Sequence, residues 1–379
     1  MRKPMNAAIG RLQPSGIRRI NALAREREGC IALALGEPEF DTPEAVSWEA
    51  KAALDARMTH YPPNAGTSEL RRAIVSYMGD HGLAGYGADE VVVTAGATEA
   101  LYASLTALLD PGDEVIVPTP AFGLYESIVV TCHARPVFLD TAPAGFQIAP
   151  EALAAAVTPA TKAIVVTSPN NPTGCVLDAA SLDAVADLAA RTGIYVVCDD
   201  VYNRLVYAPG YERFACRHPE LAEQVIVVDS FSKPWAMTGW RLGWVAAAAP
   251  VIAQIAKAHQ YMVSSVPAFL MPAAARALAV DPAPMLATYR ARRERVLAAL
   301  AYMGLPTVEP AGAFYAFPSI ARTGLSSEEF CTRAIGEAGV ALVPGDCFGA
   351  EGYARLSYCV ADEQLDEGLA RLGRFVAGL

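Results

Sequence analysis

The stretch that decides the fold is Val225-Ile226-Val227-Val228-Asp229-Ser230-Phe231-Ser232-Lys233, which continues as Pro234-Trp235-Ala236-Met237-Thr238-Gly239-Trp240-Arg241-Leu242-Gly243. Its first four residues are all β-branched and predict a strand that is buried on both faces. A turn follows the strand, and Lys233 stands in it among hydroxyl-bearing and apolar residues. A lysine in such surroundings loses its charge readily, so its amine can act as a nucleophile or a base.

Five similar apolar runs precede this strand. They are Val91–Val93, Val115–Val117, Val137–Leu139, Ala163–Val166 and Tyr195–Val197. Helix-like segments lie between them at Thr98–Leu109, Phe122–Cys132 and Ser181–Arg191. This alternation predicts an α/β domain with a mostly parallel sheet, in which ligands bind beyond the carboxyl ends of the strands.

The pattern changes near residues 281–284, where Asp-Pro-Ala-Pro interrupts the chain. A basic helical segment follows at Tyr289–Arg295, and its charges are typical of a solvated helix face. Short apolar runs at Gly312–Phe317 and Tyr353–Ser357 then predict strands between helices. These features indicate a terminal α+β domain.

Composition excludes several classes of protein. The 379 residues carry a net charge of −10, which argues against binding to nucleic acid or to an anionic membrane surface. The most apolar stretch, Leu242–Ile255, is interrupted by Pro250, and residues 1–16 lack the apolar core of a secretory signal. Eight scattered cysteines form no C-x-x-C pair and the histidines show no ligand spacing. We therefore expect a cytoplasmic protein without a metal.

The turn around Lys233 suits one cofactor, pyridoxal 5′-phosphate (PLP). Schiff-base chemistry on an aldehyde needs an amine that gives up its proton. The hydroxyls of Ser230 and Ser232 and the guanidinium of Arg241 suit a phosphate, because arginine offers a planar fork that is always charged. A lysine in an ordinary serine-rich turn is the alternative, and the Gly-Trp-Arg-Leu-Gly run that follows favours PLP.

This segment resembles the PLP-lysine signature of the class I/II aminotransferases, which are fold-type I PLP enzymes related to aspartate aminotransferase. The similarity runs from about Gly36 to Ser357. It implies a large domain at residues 44–275, with a mostly parallel seven-stranded sheet flanked by helices. It also implies a smaller α+β domain built from both termini, at residues 1–43 and 276–379.

A second phosphate-binding element is predicted after the run Val91–Val93. The small residues Gly96, Ala97 and Thr98 form a turn that lets a ligand approach the backbone closely. The helix that follows presents free N–H groups and the positive end of its dipole. An ordinary strand-to-helix turn capped by Thr98 is the alternative.

Two further positions face the predicted cofactor. Phe122 follows Pro118-Thr119-Pro120-Ala121 at the end of a strand, where its ring could stack on a pyridine; core packing is the alternative. The heptad Ser168-Pro169-Asn170-Asn171-Pro172-Thr173-Gly174 is a turn by its composition. The resemblance implies that the Asn171 amide meets the cofactor's 3′-oxygen and the substrate.

Asp199 ends the buried run Tyr195–Val197 as a carboxylate that needs a cation. A protonated pyridine nitrogen is such a cation, and the ion pair would keep the ring protonated so that it withdraws electrons. Tyr202, three residues later, can reach the 3′-oxygen. Asp200 is the competing carboxylate, and the D-x-x-Y spacing of the resembled family selects Asp199.

Three assignments come from the resemblance alone. Arg355 matches the arginine that binds the substrate's α-carboxylate, and Gly36 matches a residue whose backbone lies near that group. Tyr61 matches a tyrosine that reaches the phosphate of the neighbouring subunit, which implies a homodimer with shared active sites.

These residues together predict a PLP-dependent aminotransferase that moves an amino group from an L-amino acid to a 2-oxo acid in ping-pong order. Lys233 would form the Schiff base and transfer the proton, with Asp199 and Tyr202 as the other catalytic residues. A PLP-dependent carbon–sulfur β-lyase keeps the same cofactor residues and is the first alternative. A non-catalytic PLP-sensing domain is the second, and the acidic balance disfavours it.

Overall fold

The computed structural model describes residues 2–379, which contain twelve strands and fourteen α-helices. The strands are β1 (Ile31–Ala32), β2 (Val91–Thr94), β3 (Glu114–Thr119), β4 (Arg135–Asp140), β5 (Thr161–Thr167), β6 (Tyr195–Asp199), β7 (Val225–Ser230), β8 (Gly243–Ala247), β9 (Tyr315–Ala316), β10 (Val340–Ala341), β11 (Val343–Pro344) and β12 (Ala354–Ser357).

The helices carry the numbers α1 to α14 in chain order. They are α1 (Ala7–Arg11), α2 (Gly16–Glu26), α3 (Glu44–Asp55), α4 (Ser68–Asp80), α5 (Ala97–Leu108), α6 (Leu124–Thr131), α7 (Pro150–Ala156), α8 (Ala179–Thr192), α9 (Phe214–Arg217), α10 (Ala249–Val263), α11 (Met271–Ala277), α12 (Ala283–Tyr302), α13 (Ser327–Arg333) and α14 (Asp362–Ala377).

The central sheet has seven strands in the order β2-β8-β7-β6-β5-β3-β4. β4, β3, β5, β6 and β7 run parallel, and β8 runs antiparallel to both of its neighbours. The predicted α/β fold with a mostly parallel seven-stranded sheet is therefore confirmed, and each of the six predicted runs lies inside a strand. β8 was not predicted from the sequence, because it is continuous with an apolar stretch that leads into α10 without a polar turn.

A second layer of strands joins the two ends of the chain. β1 pairs in parallel with β10, and β11, β12 and β9 form a three-stranded antiparallel sheet. One apolar core contains residues of both termini, including Leu33, Phe330 and Leu356. The predicted strand at 312–317 is only two residues long, while the one at 353–357 matches β12. The domain boundaries near residues 44 and 275 stay a prediction.

The basic helix differs from its prediction at one position. Arg292 is 4% exposed, and its Nε donates to Asp362 Oδ1 at 2.8 Å, while Nη2 contacts Glu39. Arg290 and Arg295 of the same helix are more exposed. The expectation of a fully solvated face is therefore wrong at Arg292, because two carboxylates from the terminal segments cover this turn.

The carboxyl ends of the central strands position the candidate site. β5, β6 and β7 end at Thr167, Asp199 and Ser230, and β2 delivers the chain to the start of α5 at the same edge. All eight cysteines are free thiols. No helix within residues 2–379 has both the length and the apolar composition needed to cross a bilayer.

Candidate active site

A cavity of about 260 Å³ lies at the carboxyl ends of these strands. Twelve of the residues predicted from sequence line it: Gly36, Ala97, Thr98, Phe122, Asn171, Asp199, Tyr202, Ser230, Ser232, Lys233, Arg241 and Arg355. Gly96 lies directly beneath its wall as the N-cap of α5. The structure therefore brings together residues that are separated by more than 300 positions in the chain.

One end of the cavity is built to receive an anion. Gly96 adopts a φ of 81°, and no side chain caps the N–H groups at the start of the twelve-residue helix α5. A Cβ at Gly96 would lie 2.8 Å from Arg241 Nη2, so glycine is needed both for the φ angle and for the space. Free N–H groups, a helix dipole and a guanidinium thus converge on one point.

Ser230 and Ser232 also line the cavity. Ser230 Oγ donates to Ser232 Oγ at 2.8 Å and accepts from the Ser232 N–H at 3.0 Å. Arg241 returns the chain from this turn into β8 with a left-handed φ of 54°. Since β7 and β8 are paired, with Ser230 opposite Gly243, the serines and the arginine are held at a fixed separation.

Lys233 is the amine of the cavity. Its Nζ donates to the Gly36 carbonyl oxygen at 2.7 Å and lies over the Phe314 ring at 5.7 Å from the centroid. Desolvation lowers the pKa of Lys233 to about 8, and the nearby guanidiniums of Arg355 and Arg241 act in the same direction. About a tenth of the amine is therefore unprotonated at pH 7, and about half at pH 8.

Asp199 lies on the opposite wall as a buried carboxylate. Its Oδ2 accepts a hydrogen bond from Tyr125 Oη at 2.7 Å, and Tyr125 Oη also lies 2.9 Å from Thr167 Oγ1. Burial raises the pKa of Asp199, while the Tyr125 hydrogen bond opposes that rise. The carboxylate is aligned by a donor, but no side-chain cation within residues 2–379 pairs with it at salt-bridge distance.

Asp200 turns away from the cavity into a separate group of buried polar residues, the Asp200 cluster, which consists of Asp200, Asn203, Arg213 and Asp229. Arg213 Nε lies 4.0 Å from Asp200 Oδ2, and Arg213 Nη2 donates to Asn203 Oδ1 at 2.8 Å. Asn203 Nδ2 donates to Asp229 Oδ2 at 2.7 Å. Burial raises the pKa of Asp200 to about 6 and that of Asp229 to about 7, against the opposing charge of Arg213.

Arg355 forms the wall next to the terminal segments. It is 1% exposed, donates from Nη1 to Asn171 Oδ1 at 2.8 Å and from Nη2 to the Ala34 carbonyl at 2.6 Å. The guanidinium also lies 4.4 Å from the Tyr315 ring centroid. Its Nε has no hydrogen-bond partner. A buried cation without a carboxylate and with a free donor is prepared for an anionic ligand.

Tyr202 and Tyr315 connect the cofactor side of the cavity to this wall. Their hydroxyl oxygens lie 2.9 Å apart, and burial raises the pKa of Tyr315 to about 12. A Cβ at Gly36 would lie 2.0 Å from Tyr315 Oη, so only glycine permits this approach. Tyr315 therefore touches three residues that the sequence had assigned separately.

The two aromatic residues of the prediction have different positions. Phe122 lines the cavity, and its ring meets the Tyr125 ring edge-on at 86° with 6.2 Å between centroids. Tyr61 is 91% exposed and does not line the cavity of its own chain.

Sequence reasoning missed Tyr125 and Tyr315. Tyr125 stands in the first turn of a predicted helix, three residues after Phe122, so an aromatic near the strand end was the available signal. Tyr315 lay within a predicted strand, where an aromatic is more simply interpreted as core. Their contacts with Asp199 and Arg355 span 74 and 40 residues, and nothing local in the sequence indicates such pairs.

Comparisons with known proteins now identify the family. The family model described as Aminotransferase class I and II matches residues 28–372. The chain belongs to the class I and II aminotransferases. It is 39% identical to a probable N-acetyl-LL-diaminopimelate aminotransferase of Bacillus subtilis (strain 168), over 98% of this chain and 95% of that protein.

Two further relatives carry other substrate names. Aromatic-amino-acid aminotransferase 2 of Thermococcus litoralis is 39% identical over 95% of each chain. The structure of aspartate aminotransferase from Thermus thermophilus with maleate matches with a TM-score of 0.93 and 36% identity, over 98% of this chain and 100% of that one. The protein is therefore a PLP-dependent aminotransferase of fold type I, as the sequence predicted.

The residues of the cavity fit this cofactor. The uncapped start of α5 and Arg241 suit the phosphate, and the buried carboxylate of Asp199 lacks a cation that a protonated pyridine nitrogen would supply. Lys233 offers an amine of lowered pKa to the aldehyde.

Proposed function

We propose that this aminotransferase holds PLP in the cavity through Lys233, and that the cavity also binds the amino acid and the 2-oxo acid in turn. The proposal depends on three groups that line the cavity and lack a partner of opposite charge or reactivity. An amine of lowered pKa, a buried carboxylate without a cation and a buried arginine without an anion face one space.

The cofactor would be fixed at each of its edges by a different element. Gly96, Ala97 and Thr98 would supply N–H and hydroxyl donors to the phosphate, with Ser230, Ser232 and Arg241 opposite them. Phe122 would stack on the ring and Asp199 would hold its nitrogen protonated, while Asn171 and Tyr202 would meet the 3′-oxygen. When bound, PLP serves as an electron sink for the pair left by proton loss at the substrate's Cα.

The substrate would be oriented by its α-carboxylate. Arg355 would bind this group with its guanidinium, and Asn171 and the Gly36 backbone would complete the subsite. This arrangement leaves the substrate's Cα proton within reach of the Lys233 amine, which would act as the base and then return the proton as the acid. Water exclusion by the Tyr202 and Tyr315 rings would strengthen each of these charge interactions.

Ping-pong order is part of this proposal, because the groups proposed to bind the amino acid and the 2-oxo acid line the same cavity. The amino acid would leave as a 2-oxo acid before a second 2-oxo acid enters, which is ping-pong order. The relatives bear names for diaminopimelate, aromatic and aspartate substrates, so their similarity supports α-amino acids in general as the substrates.

We also propose a homodimer with shared active sites, because Tyr61 is almost fully exposed in the single chain and lies outside its cavity. Its hydroxyl would then complete the phosphate site of the partner subunit. The eight free cysteines support a cytoplasmic setting, where thiols stay reduced. A large domain at residues 44–275 with a smaller one from both termini is part of the same proposal.

Reduction of the holoenzyme with borohydride, followed by proteolysis and mass spectrometry, tests the central assignment. A phosphopyridoxyl group should be found on Lys233 and should be missing from Lys233→Ala. A modified lysine elsewhere would contradict the proposal.

A hybrid experiment tests the shared sites. Tyr61→Ala and Lys233→Ala subunits are mixed under conditions where subunit exchange is demonstrated. One site of each hybrid should be intact, so activity should return from two poorly active parents. Exchange without any recovery would show that Tyr61 does not act across an interface.

A further inference from the structure

His259 is a fully buried histidine outside the cavity, on α10, and both of its ring nitrogens face acceptors. Nε2 lies 2.9 Å from the Asn64 carbonyl oxygen, and Nδ1 lies 2.9 Å from Glu99 Oε1. A carbonyl oxygen can only accept a hydrogen bond, so Nε2 must carry a hydrogen.

The state of Nδ1 follows from the other oxygen of Glu99. Glu99 Oε2 accepts a hydrogen bond from the Ala95 N–H at 2.9 Å. A carboxylate satisfies both contacts as an acceptor, and Nδ1 must then also donate. A carboxyl protonated on Oε1 would make the same contacts with a neutral ring. The doubly protonated ring is favoured because, although burial opposes the charge, the Glu99 and Asn64 contacts raise the pKa of His259 overall.

These three contacts join two segments of the proposed cofactor site. Ala95 directly precedes Gly96, where the phosphate turn begins, and Asn64 lies three residues after Tyr61. The segment at 60–66 has little regular structure, and one backbone bond, from the Val93 N–H to the Ala65 carbonyl at 3.1 Å, ties it to β2. Asn64 Nδ2 also donates to the Ser264 carbonyl oxygen just after α10, and His259 adds a contact from within that helix.

We propose that His259 is a positioning residue, an imidazolium that fastens the Tyr61-bearing segment to the phosphate turn. The proposal rests on the proposed function for the roles of Tyr61 and of Gly96–Thr98. Its chemical part, the protonation state of the ring, does not depend on the cofactor and rests on the two ring contacts together with the raised pKa of His259.

The pH dependence of this link has a definite sign. Burial opposes the charge, but the Glu99 carboxylate and the Asn64 carbonyl raise the pKa of His259 overall. A raised pKa means that the stabilisation is complete below the ordinary value of about 6.5 and is lost as the pH rises through the pKa of the folded state.

Glu99, from α5, is the charged group that faces the ring, and the 60–66 segment contributes a carbonyl. Glu90 also contacts α10, but its carboxylate accepts from the Ala249 N–H at the other end of the helix, ten residues away.

Nitrogen-15 NMR of histidine-labelled apoprotein tests the protonation state without the cofactor. The chain has five histidines, and the His259→Gln spectrum identifies the signal of interest. At a pH of about 6, below the ordinary value for histidine, His259 should show two protonated, pyrrole-type nitrogens. One unprotonated, pyridine-type nitrogen at that pH would overturn the proposal.

Cofactor affinity of the holoenzyme tests the positioning role. The ratio of the PLP dissociation constants, His259→Gln over wild type, should be about tenfold near pH 6.5, the size expected for a charged hydrogen bond. It should fall towards one as the pH exceeds the pKa of His259. Using the ratio cancels the titration of the cofactor and of Lys233, which both proteins share.

His218→Gln is the matched control, because His218 also contacts carboxylates, at 3.0 Å from Glu220 Oε1, but lies away from the cavity. Its ratio should stay near one at every pH. A ratio for His259→Gln that is constant with pH, or equal to one throughout, would contradict the proposal. If Lys233 instead carries no cofactor, the proposed function fails while the NMR result still decides the state of His259.

Discussion

The cavity and the Asp200 cluster both bury charges at the end of β6, and they handle those charges in opposite ways. In the cluster, Arg213 lies against Asp200, and Asn203 links it to Asp229, so the chain compensates its own charges. In the cavity, neither Asp199 nor Arg355 has an oppositely charged side chain within the 4.0 Å that separates Arg213 from Asp200. A buried charge that its own chain leaves uncompensated marks the place where a ligand supplies the partner.

The first test of this comparison replaces two neighbouring carboxylates. Asp199→Asn removes the charge that would hold the cofactor's nitrogen protonated, and turnover should fall at least about 100-fold while the fold is retained. Exchange of the substrate's Cα hydrogen for deuterium, measured at saturating PLP, reports this step.

Asp200→Asn is the matched variant. It should change the exchange rate little, because the Asp200 side chain lies in the Asp200 cluster and does not line the cavity. Similar, mild effects on exchange at both positions would mean that the wrong carboxylate, or the wrong chemistry, has been assigned.

For the two buried arginines, we expect one substitution to affect activity and the other to affect stability. Arg355→Gln should lower kcat/KM for amino acids by about 100-fold, since a charge-assisted contact to the α-carboxylate is lost. Arg213→Gln should instead lower the free energy of unfolding, measured in urea, by about 3 kcal/mol and leave kcat/KM nearly unchanged. If Arg355→Gln has the lower free energy of unfolding of the two variants and an unchanged kcat/KM, the assignment of Arg355 to substrate binding is wrong.

Tyr125 refines the comparison within the cavity. Tyr125→Phe keeps the ring but removes the donor to Asp199, so the pKa of that carboxyl should rise further and turnover should fall about tenfold. Thr167→Val removes only the other partner of the Tyr125 hydroxyl and should have a smaller effect. Steady-state kinetics of both variants, at saturating PLP, decide whether Tyr125 acts through Asp199.

The smallest expected effect concerns Lys233 and pH. Because its pKa is lowered to about 8, the unprotonated fraction of the amine should increase about fivefold between pH 7 and pH 8 and level off above about pH 9. The rate at which apoprotein captures PLP, followed by absorbance, should show the same curve. A rate that still rises about sevenfold between pH 9 and pH 10 would show that the amine behaves as an ordinary lysine.

The sequence predicted most of the fold because the central strands are continuous apolar runs, each separated from the next by a helical pattern. β8 shows the limit of this signal, since its residues are apolar on both sides of its boundaries. The lysine, the serines and the arginine were found together because they lie on one turn of the chain. Their roles stay predictions, as do the homodimer and the cytoplasmic setting.

The remaining site residues could not be found locally. Tyr125 meets Asp199 only after β3 and β6 have been placed in one sheet, and Tyr315 meets Arg355 only after β9 and β12 have paired. His259 has two partners, on two segments that are far away in the chain. Such contacts depend on tertiary structure, and a single sequence carries no local pattern for them.

The turn between β7 and β8 has a mechanical consequence. Lys233 and Arg241 lie in the connection between two hydrogen-bonded strands, β7 and β8. Arg355 lies in the separate three-stranded sheet. Any displacement of one sheet against the other therefore alters the span between Lys233 and Arg355 and leaves the span between Lys233 and Arg241 unchanged. Under the proposed roles, the phosphate contacts would keep their spacing, and the contact between Arg355 and the substrate carboxylate would be the adjustable one.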